Sequence, residues 1–292
     1  MIFAGSPGFI GAAALCAMGA GRAGAGILNL AVSRGLIGPL TTMVPEAAYL
    51  VLPEGDLGSS SKRLYDVIEE RAGRHAAFLI GPGLGNDDYA RNLVTALLGL
   101  GSAGSRSSFG FGSSVVATGD APVLPTLLSF EKPIVIDADA LSLLAGIENW
   151  WTSIPAGRLL LTPHMGEMAR LLDQTTEEIS ADPGAAIVEA ANRFRQFVLL
   201  KGNPTLVSDG ATSFAAADSP ASLATAGSGD VLAGAIGGLL AQGLEPMDAA
   251  NLAIYAGVHA ARALEQELGT LGVIASDLPR AIAQQLAILE RE

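Results

Sequence analysis

Cysteine is nearly missing from this 292-residue chain, with Cys16 its single example. That excludes an intramolecular disulfide and any cysteine-rich metal cluster, and it fits a reducing compartment. Set among alanines, Cys16 is expected to be an inert core residue. Positive charge is scarce too: 17 Lys and Arg against 29 Asp and Glu leave a formal charge of −12. Such a field repels polyanions and anionic membranes, so neither nucleic acid nor a membrane is an expected partner. No charged residue precedes Arg22, yet the apolar start has no basic lead and is broken by Gly5, Pro7, Gly8, Gly11, Gly19 and Gly21. It therefore reads as neither signal peptide nor membrane span, and a cytoplasmic protein is expected.

What is plentiful is apolar residues, at 50%, and glycine, at 36 copies. Strand-like runs (IFAG, GILNLAV, AAFLIG, PIVIDA, LLLT and FVLLKG) alternate with Ala-rich or amphipathic stretches. This is the pattern of a mostly parallel sheet covered by helices, and no linker or internal repeat divides it, so one α/β domain over 1–292 is expected. After KGNPT, the segments TLVSDG and TSFAAA read as two short strands around Asp209-Gly210, an antiparallel edge. Residues 228–243, 246–268 and 276–290 read as helices, with Pro246 placed where a helix's first N–H needs no partner. The stretch 101–114 (GSAGSRSSFGFGSS) reads as a mobile surface loop. His75 is read as a surface residue and His259 as a helix-packing one.

The opening GSPGFIGAA raises a dinucleotide fingerprint, because Gly5, Gly8 and Gly11 follow a short strand and precede a helix. The second strand, however, runs into Ser33, Arg34 and Gly35 instead of an acidic residue, and no Tyr-x-x-x-Lys pair follows. A tight turn that lets a small-residue helix pack on the sheet explains the glycines as well.

TAGSGDVLAGAIGGLLAQG carries more information. Gly227, Ser228 and Gly229 lead directly into a long helix, whose free N–H groups make an anion hole that glycine lets a phosphate approach. Asp230 beside that hole would repel a phosphate if binding were the only purpose. It makes sense as a base that takes the proton of an alcohol while the oxygen attacks phosphorus, with a helix cap as the plain alternative. The helix N-terminus is expected to lower the Asp230 pKa.

In this order, GSPGFIGAA, RAGAGILNLAV, IGPGLG, VIDADAL, LTPHMGE, VLLKGNPTLV and ATAGSGDVLAGAIGGLLAQG resemble the ADP/ATP-dependent NAD(P)H-hydrate dehydratases. The resemblance runs over nearly the whole chain and implies a ribokinase-like fold: a mostly parallel central sheet flanked by helices, with an antiparallel edge. It implies repair of hydrated NADH or NADPH (NADHX, NADPHX), by phosphorylation of the C6 hydroxyl from ADP or ATP with Mg²⁺ and elimination of phosphate. Residue by residue, it implies Asp230 as catalytic and Ala12, Gly83, His164 and Asp230 as contacts to the hydrate. The nucleotide would meet Lys201, Gly202, Asn203, Pro204, Thr205 and Gly229, with Gly227, Ser228 and Gly229 as the anion hole. Glu167 would reach Mg²⁺ through water or simply close a capping box with His164, and Asp137 and Asp139 would assist the metal or shape a turn. A homo-oligomer such as a tetramer is expected.

The sequence departs from that family in places. It starts almost at the glycine turn, so a truncated first strand and the absence of a fused epimerase domain are expected. His-Met-Gly-Glu replaces His-Pro-Gly-Glu at 164–167, and AAADSPASLA at 215–224 lacks the usual Asn-Gly. Two other readings stand beside the dehydratase: a ribokinase-like kinase acting on a vitamin-precursor alcohol, and an inactive nucleotide-binding sensor.

Overall fold

The computed structural model describes residues 1–55, 57–100 and 126–291. The loop expected over 101–114 lies outside them. Among the described residues, nine strands form one sheet: β1 (Ile2–Phe3), β2 (Asn29–Val32), β3 (Ala48–Val51), β4 (Phe78–Ile80), β5 (Ile134–Ile136), β6 (Leu159–Leu161), β7 (Phe197–Leu200), β8 (Leu206–Ser208) and β9 (Ser213–Ala215). Their order is β3-β2-β1-β4-β5-β6-β7-β8-β9; every pair from β3 to β7 is parallel, and β8 and β9 are antiparallel. The expected architecture is therefore present. β1, although only Ile2–Phe3, pairs with β2 on one side and β4 on the other.

The helices are α1 (Ile10–Arg22), α2 (Ile37–Met43), α3 (Leu57–Arg71), α4 (Asp88–Leu98), α5 (Asp139–Ala145), α6 (Met165–Leu172), α7 (Thr176–Ala181), α8 (Pro183–Phe194), α9 (Ser228–Ala241), α10 (Pro246–Leu268) and α11 (Leu278–Leu289). Because side chains alternate across a strand, two cores form. Phe3, Phe78, Ile80, Ile136 and Leu161 face α3 to α8, whereas Ile2, Leu30, Leu79, Val135 and Leu160 face α1, α2, α9 and α10. Among the described residues, no helix is long and apolar enough to cross a membrane.

α1 and α9 explain the small-residue runs. A Cβ on Gly234 would stand 2.0 Å from Cys16 O, on Gly238 2.5 Å from Ala20 O, and on Gly19 2.3 Å from Val231 O. The two backbones are in contact, and only glycine permits it. Leu15 touches Gly227 and Gly19 touches Val231, so the helices run in the same direction and their first turns stand side by side. Cys16 is fully buried in this seam, with its thiol pushed up by burial, as expected of an inert residue. The two other histidines reverse expectation: His259 is exposed against Tyr255 at a ring distance of 4.2 Å, while His75 is half-buried and burial lowers it to about 4.

Candidate active site

Each parallel strand delivers a turn to one edge of the sheet, the edge at which open α/β sheets bind ligands. Behind β1 comes the Gly5 turn, behind β4 the Gly81–Gly85 turn, and behind β5 Asp137. His164 and Glu167 follow β6, and Lys201 follows β7. Glycine is required at two points: Gly81 (φ +137°), where a Cβ would collide with Asp137 O, and Gly83 (φ +66°), where it would meet Ala12 Cβ and Phe9 Cβ at 2.8 Å. Gly83 and Ala12, both expected hydrate contacts, are thus neighbours. The glycine turn is tied down by Gly5 N donating to Pro82 O at 2.8 Å and Gly85 N donating to Asp139 Oδ2 at 2.8 Å. Asp139 thus holds the turn, which is one of its two expected roles.

Lys201 is the hub. Its Nζ donates to Asp137 Oδ1 at 2.6 Å and lies 3.9 Å from Glu167 Oε2. Asp137 is 1% exposed; its Oδ1 also accepts from Thr162 Oγ1 at 2.7 Å, while its Oδ2 is buried without a partner among the described residues. Burial works to lower the Lys201 pKa, but the Asp137 and Glu167 carboxylates outweigh it and the ammonium is held above its usual range. A Cβ added to Gly229 would stand 3.4 Å from Lys201 Nζ, so the ammonium lies against the first turn of α9.

His164 caps α6. Its Nδ1 accepts from Gly166 N at 3.0 Å and Glu167 N at 3.2 Å, and Glu167 Oε2 accepts from His164 N at 2.8 Å. Two donors at Nδ1 need its lone pair, so the ring's proton sits on Nε2, 3.5 Å from Glu167 Oε1. Burial, then Lys201 and Arg170, lowers the ring's pKa, with Asp137 opposing. Glu167 is 5% exposed; burial, with Lys201 opposing, pushes it up to about 7.

Asp230 occupies the third residue of α9, whose cap is Gly227 in a left-handed conformation (φ 90°) without a side-chain bond. Its expected low pKa is overturned: burial, reinforced by Asp137 and opposed by Lys201, raises it to about 7. Loss of water and three carboxylates around one ammonium exceed what a helix terminus offers. Asp230 is half-buried rather than sunk in packing.

On the far side of the α9 start is a cavity of about 470 Å³. Lys201, Gly202, Asn203, Thr205, Ser228 and Gly229 line it, so the KGNPT turn and the SGD turn converge as expected. Pro204, Gly227 and Asp230 do not line it, and Asp230 belongs to the side shared with Asp137 and Glu167. The remaining wall was not anticipated: Asp218, Pro220 and Leu223 come from the segment after β9, Ile254 and Val258 from α10, and Leu278 and Ile282 from α11. A helical stripe of apolar residues looks the same in sequence whether it lines a cavity or fills a core. The missed partner of Lys201, Asp137, was signalled by its place directly after a buried strand.

Comparison with known proteins gives the family. The NAD(P)H-hydrate dehydratase family model matches residues 1–102 and 109–284. The bifunctional NAD(P)H-hydrate repair enzyme Nnr of Moorella thermoacetica is 36% identical over 290 residues, 99% of this chain and 49% of that protein. The ADP-dependent (S)-NAD(P)H-hydrate dehydratase of Neisseria meningitidis is 40% identical over 154 residues, 52% of each chain. The chain thus spans about half the length of the bifunctional relatives it matches. Among solved structures, the Bacillus subtilis ADP/ATP-dependent NAD(P)H-hydrate dehydratase co-crystallised with ATP and Mg²⁺ superimposes with a TM-score of 0.74 at 24% identity, covering 98% of this chain and 88% of that one. A Pyrococcus horikoshii hydroxyethylthiazole kinase gives 0.57 at 18% identity, covering 92% of each. Those two likenesses establish the ribokinase-like fold, and the family model, together with the Moorella relative, establishes more: the chain belongs to the NAD(P)H-hydrate dehydratase family.

Proposed function

We propose that this chain dehydrates hydrated NADH or NADPH at the expense of ADP or ATP. The observation that carries the reading is the position of Asp230: a half-buried carboxylate on the α9 first turn, in the field of Asp137, Lys201, Asp139 and Glu167, while Ser228 and Gly229 of the same turn line a nucleotide-sized cavity. The terminal phosphate of the nucleotide is assigned to the N–H groups of Gly227, Ser228 and Gly229 at the mouth of the cavity, with the Lys201 ammonium beside them; the Ser228 N–H, which donates to Thr225 O at 3.3 Å, would exchange that bond for the phosphate. Gly202, Asn203 and Thr205 line the cavity for the rest of the nucleotide, with Pro204 behind them in the same turn. The hydrate is assigned to Ala12, Gly83 and His164, the last through its Nε2–H.

Asp230 takes the proton of the C6 hydroxyl while that oxygen forms a bond to the terminal phosphorus and the bond to the remaining nucleotide breaks. A loose phosphoryl-transfer transition state asks mainly for alignment and for positive charge near the equatorial oxygens, which Lys201 and the helix N–H groups supply. The C6–O bond of the phosphate ester then breaks, phosphate leaves, and a proton lost from the adjacent ring carbon restores the double bond. A base near pH 7 is well matched to the first step.

The resemblance also implies Mg²⁺. Among the described residues, no group of three His, Cys, Asp or Glu side chains forms a metal cage. Asp137 Oδ2, which has no partner among the described residues, and the nearby Glu167 instead suit an ion that arrives with the phosphates and keeps its waters. Such an ion would supply charge neutralisation on the transferring phosphoryl group. Incubation of the protein with NADHX, MgADP or MgATP tests the reading: recovery of absorbance at 340 nm with release of phosphate supports it. A stable phosphorylated product would turn it into a kinase, and no turnover with either nucleotide would sink it.

A further inference from the structure

One wall of the cavity is made by a segment that has little of its own to hold it. From Ala217 to Ala224 the side chains between are Asp, Ser, Pro, Ala, Ser and Leu, with a single 3-10 turn over Ala221–Ala224. A stretch so poor in large apolar groups cannot be fixed by burial alone. It is fixed instead from α10. Arg262 Nε donates to Asp218 Oδ2 and Nη2 to Asp218 Oδ1, both at 2.6 Å, while Nη1 donates to Glu265 Oε2 at 2.8 Å. Glu265 Oε1 accepts from Ser222 N at 3.3 Å. One guanidinium therefore pins the segment at Asp218 directly and at Ser222 through Glu265. The pinned segment continues into the anion hole, where Ser228 Oγ donates to Leu223 O at 2.7 Å.

We propose that Arg262 is a positioning residue for the nucleotide: it holds the 218–223 wall against the cavity and cancels the negative charge that Asp218 presents there to a polyphosphate. The inference rests on the nucleotide reading of the cavity given above. Arg262 and Asp218 are each nearly half exposed, and ion pairs of that kind contribute little to folding. What the planar fork adds on a carboxylate is orientation, which a lysine does not reproduce. Removal of the two partners has unequal consequences. Without Arg262, an unpaired carboxylate lines the cavity that takes a polyphosphate; without the Asp218 charge, the strap loosens but that repulsion is gone.

Calorimetric titration of the full chain with MgADP and with MgATP, beside steady-state kinetics, separates the roles. Arg262→Ala should weaken nucleotide Kd about tenfold, more at low salt than at high, with kcat and hydrate KM within about twofold. Asp218→Asn should weaken it about threefold, and the double variant should recover to that level. Arg262→Lys should fall between parent and Arg262→Ala. Equal affinity of Arg262→Ala and parent overturns the proposal, as does a double variant no better than Arg262→Ala, which would mark a purely structural tie. A parent that binds no nucleotide removes both this inference and the reading beneath it. A parent that binds nucleotide but turns over no hydrate removes the reaction alone, and the Kd series still decides the role of Arg262.

Discussion

Lys201 and Asp137 form an ion pair at 2.6 Å that joins the end of β7 to the end of β5, across the whole width of β6. The pair is enclosed: Asp137 is 1% exposed, and the Lys201 side chain 20%. Asp137→Ala removes the hydrogen-bonded partner of the ammonium and leaves it the more distant Glu167 and Asp230 carboxylates, so the cost should approach the roughly 3–5 kcal/mol of a broken buried pair. Denaturant titration should show that loss, and Asp137→Asn, which keeps an oxygen for Thr162 and Lys201, should lose less. Equal stability of Asp137→Ala and parent would show that Lys201 finds another partner.

The Asp230 carboxylate has opposite effects on stability and on activity. Its pKa is raised from 3.8 to about 7, so the folded chain binds more protons than the unfolded one between those values. Stability therefore falls as pH rises through that window, and Glu167, also raised to about 7, adds to the fall. Asp230→Asn should cut turnover by about 10²–10⁴, roughly 3–5 kcal/mol of barrier. The same variant should melt a few degrees above the parent at pH 8, with no gain at pH 4. Parent kcat/KM should rise with pH through about 7, and that limb should vanish from the residual activity of the variant.

Contact between α1 and α9 aligns the two halves of the site, and neighbouring glycines test it. A Cβ at Gly234 would stand 2.0 Å from Cys16 O, whereas at Gly237 its nearest neighbour would be Leu79 Cδ1 at an ordinary 3.6 Å. Gly234→Ala must part the helices, with an expected cost of about 1–3 kcal/mol or more and a loss of turnover as the α9 turn moves away from Gly83. Gly237→Ala should be neutral or gain up to about 1 kcal/mol from helix propensity. Thermal melts of both variants check the contrast; a melt of Gly234→Ala matching that of Gly237→Ala would disprove the close seam.

Much of this arrangement is legible in the sequence because it is local. Buried parallel strands announce themselves as apolar runs, and the glycine turns at Gly83 and Gly227 follow from what only glycine can adopt. The KGNPT and SGD turns converge as read, since strand ends share one edge. The edge strand β3, which is half-exposed over Ala48–Val51, carries a weaker signal and was missed. What local pattern cannot give is pairing across the fold. Asp137 with Lys201 and Asp218 with Arg262 lie 64 and 44 residues apart, and neither spacing marks them as partners. The direction of the Asp230 shift failed for the same reason, because the helix terminus is visible in sequence and the surrounding carboxylates are not.

His164 offers the means to divide capping from substrate contact, because its two ring nitrogens have separate jobs. Nδ1 accepts the Gly166 and Glu167 N–H groups, and Nε2–H faces Glu167 Oε1 and the cleft. His164→Asn keeps a side-chain oxygen that caps a helix well but shortens the donor that would meet the hydrate. It should melt within about 1 kcal/mol of the parent while the hydrate KM rises several-fold and the nucleotide KM holds. His164→Ala removes both functions, so a further stability loss of about 0.5–2 kcal/mol should appear on top of the same KM effect. If His164→Asn restored full hydrate affinity, the histidine would be a cap alone, and the hydrate would have to find its polar contacts on the Gly83 turn.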